Sequence, residues 1–175
     1  LHWKSQPAGK LLLRDLELQQ NYAFRILQEG RTLYLRYRSC RDEEAEPMGA
    51  FVDRVARACV GLPLERILLD LRGNGGGSEW VSEPLLSWVR KHPVFSRPAG
   101  TIVLTDAGTY SSGHGLARRL KGAGAQTAGA ETGQPENAFG QVHFTVLPGL
   151  KPALGCSLRR FLWDKENPAA WRRGL

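Results

Sequence analysis

The chain has 175 residues, 42% of them hydrophobic and 23% charged, which suits one globular domain with its own core. No apolar run approaches the ~20 residues that span a bilayer, so no membrane partner is expected. Lys and Arg outnumber Asp and Glu by 24 to 17, yet they are scattered from Lys4 to Arg173 as singles and pairs, with no basic stripe of interleaved aromatics, and no nucleic-acid partner is expected.

The first thirty residues carry little pattern. Leu11–Leu13 and Leu16–Leu18 suit a short strand or a helix equally. From Thr32 to Arg38 apolar and polar residues alternate, the mark of a half-buried strand. Arg41–Glu46 reads as an acidic loop or helix start. Phe51, Val55 and Cys59, with Val52 and Ala56, recur at helical spacing, and that helix stops at Gly61-Leu62-Pro63.

Arg66–Leu71 (RILLDL) has the short apolar composition of a strand buried on both faces. Gly73–Gly77 is a glycine-rich turn, followed by a helix with Val81, Leu85, Trp88 and Val89 that ends near His92-Pro93. Thr101–Thr105 is the next buried strand. Ser111 or Ser112 can cap a helix carrying Leu116 and Leu120, which Gly122 and Gly124 end. Ala125–Gly129, Gln141–Leu147 and Leu150–Arg159 read as strands, and Trp163–Leu175 as a polar tail or short helix. Strands alternating with helices predict a single α/β domain with a largely parallel sheet and right-handed crossovers. It is expected over residues 32–160, with a weakly assigned segment 1–31 before it and a tail 161–175 after it.

Cys40, Cys59 and Cys156 are odd in number and far apart, and His2, His92, His114 and His143 show no ligand spacing, so neither a metal nor another cofactor is expected. There is no initiator Met and no signal peptide, so Leu1 is expected to mark a processing boundary, with any targeting segment out of view.

Two stretches carry chemistry. In Asp70-Leu71-Arg72-Gly73-Asn74-Gly75-Gly76-Gly77 a buried strand runs into glycines that can present backbone N–H groups to an anion. The stretch is neither G-x-x-x-x-G-K-[ST] nor G-x-G-x-x-G, and alone it is equally a tight βα turn. In Gly108-Thr109-Tyr110-Ser111-Ser112-Gly113-His114 a serine sits between a strand and a helix, where the turn aims it outward and helix amides can stabilise an oxyanion. Alone, this stretch reads first as a plain N-cap. Together, at carboxyl ends of neighbouring parallel strands, the two turns make an acyl-transfer layout.

These residues resemble a family. DLRGNGGG is similar to the D-L-R-x-N-x-G-G motif of tail-specific (carboxyl-terminal processing) serine peptidases. LTDAGTYSSGHG is similar to their strand followed by G-T-x-S-S-x-E, and AGAETGQPENAFGQ to their G-E-P-T-G-G-K-P-N-x-Y-G-E segment. The resemblance spans roughly residues 33–147 and is nearest to forms without a PDZ module. It implies a crotonase-like α/β spiral, with Ser111 as nucleophile, Gly76 and the Ser112 amide as oxyanion hole, and Gly75, Gly77 and Trp80 against a polypeptide substrate. Members are often exported or periplasmic, and an assembly of several copies stays open.

Three departures fall on the chemistry. Pro135 stands at the position of the general-base lysine and cannot accept a proton. Ala130, with Glu131 beside it, replaces one glutamate, and His114 replaces another. His114, three residues after Ser111, is the candidate substitute base, with Glu131 as its orienting carboxylate. The bland alternatives are a solvent-facing histidine and a loop carboxylate. Three functions follow: a serine peptidase with a substitute base, a non-catalytic peptide-binding module, or a crotonase-type acyl-thioester enzyme. The serine turn counts against the last.

Overall fold

The computed structural model describes residues 20–146 and 153–167. The leucines at 11–13 and 16–18, His2, Trp3, Lys151, Trp171 and the end of the tail lie outside the described residues.

The sheet begins earlier than the sequence pattern indicates. β1 (Tyr22–Leu27) pairs antiparallel with β2 (Thr32–Tyr37). β2 then leads through helix α1 (Met48–Ala58) to β3 (Arg66–Asp70), through α2 (Glu83–Lys91) to β4 (Thr101–Thr105), and through α3 (Ser112–Gly122) to β5 (Gln126–Gly129). Strand order is β1-β2-β3-β4-β5, with every pair from β2 onward parallel. This is the expected mixed α/β architecture with a mostly parallel central sheet.

The apolar run of β3 is buried, and β2, expected half-buried from its alternation, is buried at Thr32, Leu33, Tyr34, Leu35 and Tyr37 because helices and neighbouring strands cover both its faces. Leu33, Leu35, Ile67, Leu69, Leu71 and Val103 join Phe51, Val55, Leu85, Val89, Leu116 and Leu120 of the helices in one core. Each such side chain is worth roughly 1.5–3 kcal/mol of burial. α1 has no cap of its own at Pro47; Asp42 supplies one from the preceding loop, where its Oδ1 accepts the Met48 N–H at 2.7 Å.

After β5 the chain forms a separate two-stranded hairpin, β6 (Asn137–Val146) and β7 (Ala153–Leu162). β6 starts four residues before the expected Gln141, because Asn137-Ala138-Phe139-Gly140 carries no apolar alternation. The root of the hairpin is tied down. Asn137 Nδ2 donates to the carbonyls of Asp164 and Asn167, and its Oδ1 accepts the Asp164 N–H. Arg118 of α3 pairs with Glu136 at 2.6 Å.

Candidate active site

β3 and β4 are parallel neighbours, so the turns that leave their carboxyl ends emerge at the same edge of the sheet. The first turn, residues 71–77, is anchored beneath by Asp70. That carboxylate is fully buried and takes the Tyr34 hydroxyl at 2.6 Å, the Arg72 guanidinium at 2.6 and 2.9 Å and the Arg72 amide at 3.0 Å. Burial alone would raise its pKa; these donors hold it below the usual carboxylate range.

Asn74, also fully buried, joins the two turns. Its Nδ2 donates to the Tyr37 carbonyl, its Oδ1 accepts the Gly76 N–H at 3.0 Å, and its own carbonyl accepts the Tyr110 N–H at 2.8 Å. Asp106 bridges the turns again, its Oδ1 accepting the amides of Gly73 and Gly108. The turns touch at Gly76 and Ser111: a Cβ on Gly76 would lie 2.5 Å from Ser111 Cβ and 2.8 Å from the Ser112 nitrogen. Only glycine fits there, and the φ of +96° suits it as well.

Ser111 occupies the N-cap position of α3 but caps nothing; its side chain makes no hydrogen bond to the helix. Its backbone sits at φ 50°, ψ −125°, a left-handed-side conformation that costs a non-glycine residue on the order of 1–3 kcal/mol. The residue is exposed. The turn therefore holds the hydroxyl outward at the start of a helix, the geometry of a nucleophile elbow. Ser112 is turned away, its Oγ donating to the Gly77 carbonyl at 2.7 Å.

Ser111 opens onto a crevice of about 640 Å³ between the two turns and the β6–β7 hairpin. Gly77 and Trp80 line it, and Trp80 is 76% exposed, whereas Gly75 is exposed in the turn and does not line the crevice. Tyr110, Leu116, Phe139 and Phe161 add apolar wall. Its two arginines are already paired, Arg119 with Glu83 and Arg159 with Glu79.

The structure redirects the residues considered for proton transfer. His114 is fully buried, neither facing solvent nor reaching Ser111. Its Nδ1 lies 3.0 Å from Thr132 Oγ1, which donates its own proton to the Gln134 carbonyl. The histidine nitrogen must therefore be the donor, which leaves Nε2 bare, and that atom is buried without a partner. Burial first, and the Arg118 charge second, depress the His114 pKa to about 4. Glu131 is exposed and makes no hydrogen bond to the imidazole; Thr132 takes the orienting place. None of the described lysines bonds to Ser111, and Lys121 is exposed.

The two amides that the resemblance implies as oxyanion donors are placed differently. The Gly76 N–H is committed to Asn74 Oδ1, whereas the Ser112 amide, at the α3 N-terminus, has no acceptor among the described residues. Gln134, which the sequence reading passed over, is the side chain that reaches the serine: its Oε1 accepts the Ser111 N–H at 2.8 Å. Only its place beside Pro135 pointed there.

No family model matches the chain, and no curated protein does. Solved structures are similar. A lipoprotein from Streptococcus agalactiae superposes with a TM-score of 0.51 at 14% identity, over 78% of this chain and 57% of that one. A putative peptidase from Parabacteroides merdae gives 0.46 at 17% identity, over 68% and 47%. A photosystem II D1 C-terminal processing protease gives 0.44 at 17%, over 73% and 39%. The chain thus spans 57% of the length of the first of these and less of the others. At such identity the first shows likeness of fold alone.

Proposed function

We propose that this chain is a serine-peptidase-like protein of the tail-specific type, with a crotonase-like fold, that holds an extended polypeptide in the crevice beside Ser111 without activating that serine for cleavage. The observation that carries the reading is the Ser111 turn. A serine at φ 50° starts a helix, presses against a glycine of the neighbouring turn, and faces an aromatic-lined crevice. The Ser112 amide beside it supports a hydrogen bond to a polypeptide carbonyl. The missing cleavage follows from the proton acceptors. Pro135 holds the lysine position, and the His114 imidazole is buried, bonded to Thr132 and depressed in basicity.

The test has two readouts. A fluorescein-labelled octapeptide alternating valine and serine should bind saturably by fluorescence anisotropy, and Trp80→Ala should weaken it about tenfold; absence of binding sinks the reading. Incubation of that peptide with the protein should leave it intact by mass spectrometry, and Ser111-dependent cleavage would make the chain an active peptidase instead.

A further inference from the structure

Gln134 is 6% exposed, yet it lines the crevice. Its Oε1 accepts the Ser111 N–H, and that bond fixes which way the side-chain amide is turned. A nitrogen in the place of the oxygen would set two donors against each other. The NH2 half of the amide is left over, with two protons to donate and no acceptor among the described residues. Nor is Nε2 one of the side-chain atoms sealed from solvent without a partner, so it keeps some surface, and the crevice is where Gln134 opens.

The position of that nitrogen follows from the bond. The oxygen and nitrogen of a planar amide lie about 2.3 Å apart, so with Oε1 at 2.8 Å from the Ser111 nitrogen, Nε2 stands within about 5 Å of it. Several other donors around the serine are already spent. The Gly76 N–H goes to Asn74 Oδ1, the Ser112 hydroxyl to the Gly77 carbonyl, and the Arg119 and Arg159 guanidiniums to glutamates. The Ser112 amide and Gln134 Nε2 remain. A mostly buried donor without a partner is costly, and a carbonyl oxygen, with two lone pairs, can take two donors.

We infer that Gln134 is a ligand-binding residue of the crevice: its Nε2 donates to a backbone carbonyl of the bound polypeptide, in the place that the resemblance gives to the Gly76 amide. One planar side chain then holds both sides of the contact, its oxygen the Ser111 backbone and its nitrogen the ligand. The group it selects is a neutral carbonyl oxygen, which every residue of a polypeptide carries, so Gln134 supplies affinity for the main chain and leaves side-chain selection to the apolar wall. This rests on the reading of the crevice as a polypeptide site.

The experiment compares the native chain with Gln134→Glu, which keeps an oxygen for the Ser111 N–H but sets a second carboxylate oxygen where the donor stood. The valine–serine octapeptide should bind Gln134→Glu at least tenfold more weakly by anisotropy, although the two proteins unfold at similar urea concentrations. In the native chain, nuclear magnetic resonance should show one proton of the Gln134 side-chain NH2 moving downfield as the peptide saturates the site, the mark of a gained acceptor. That second readout needs no variant, so it decides the matter even where Gln134→Glu folds poorly. A bracing role alone would weaken the variant but leave the NH2 signal in place. An unmoved NH2 signal at saturating peptide, or equal affinity in two folded proteins, overturns the inference and leaves the polypeptide site intact. A native chain that does not bind the peptide overturns both.

Discussion

Gln134 and Ser111 are joined side chain to backbone: the Ser111 N–H donates to Gln134 Oε1 at 2.8 Å. The bond holds the amide of a residue in a strained conformation and closes a chain of contacts from His114 through Thr132 and Gln134 to the serine. A loop that lies beyond α3 and β5 in the chain thus braces the turn that displays the hydroxyl.

Removing the acceptor orphans a partly buried donor, which costs roughly 1–3 kcal/mol. Gln134→Ala should therefore lower unfolding stability by about 1–2 kcal/mol in urea. Gln134→Glu keeps an oxygen in place, and its charge suits the N-terminus of α3, so it should restore most of the loss. Equal stability in all three proteins would show that the bond does not brace the turn.

Gly76 and Gly73 separate contact from conformation. Both have positive φ, +96° and +74°, but a Cβ on Gly73 meets nothing within 4 Å, whereas one on Gly76 meets Ser111 and Ser112. Gly73→Ala should cost only the conformational penalty, about 1–2 kcal/mol. Gly76→Ala should cost more and also cut peptide affinity at least tenfold, because the turns must part. The comparison is read from urea melts and peptide anisotropy; equal losses for the two variants would refute it.

Much of this was legible in the sequence, and the gaps have physical causes. β3 and β4 announce themselves by short apolar runs and β2 by its alternation, because these patterns hold whatever the surroundings. Tyr22–Leu27 does not, since an edge strand with Tyr22 and Ala23 both buried shows no alternation. The two turns were legible because their chemistry is local: glycine where backbone must approach, serine where strand meets helix. Gln134 was not, because its role depends on where a distant loop lands. His114 was readable in hindsight, lying in the buried stripe with Ala117 and Leu120 at steps of three.

Burial of neutral His114 makes stability depend on pH. The folded chain holds its pKa at about 4, while the unfolded chain has the ordinary value near 6.5. Between these values the unfolded state binds more protons, so stability is complete above about pH 6.5 and falls as pH drops toward 4. The loss from this group is on the order of 3 kcal/mol. His114→Gln keeps a donor for Thr132 but cannot titrate, so its stability should fall less over that window. Parallel curves for the two proteins, by urea unfolding at successive pH values, would dismiss the assignment.

Ser111 chemistry is the sharpest test of the reading. Its hydroxyl is exposed, the Ser112 amide stands ready beside it, and the α3 N-terminus favours negative charge there. These features stabilise an adduct but do not remove a proton, and general-base help is worth about 10²–10⁴ in rate. A fluorophosphonate probe, mapped by mass spectrometry, should therefore label Ser111 slowly, at a rate at least about a hundredfold below a serine peptidase with its base in place. The rate should show no inflection near pH 6.5 and should survive His114→Ala, because that imidazole faces Thr132 and the core. Ser111→Ala should abolish it. Fast labelling that rises through pH 6.5 and disappears in His114→Ala would mean that the ring turns to reach the serine, and would restore a working serine–histidine pair.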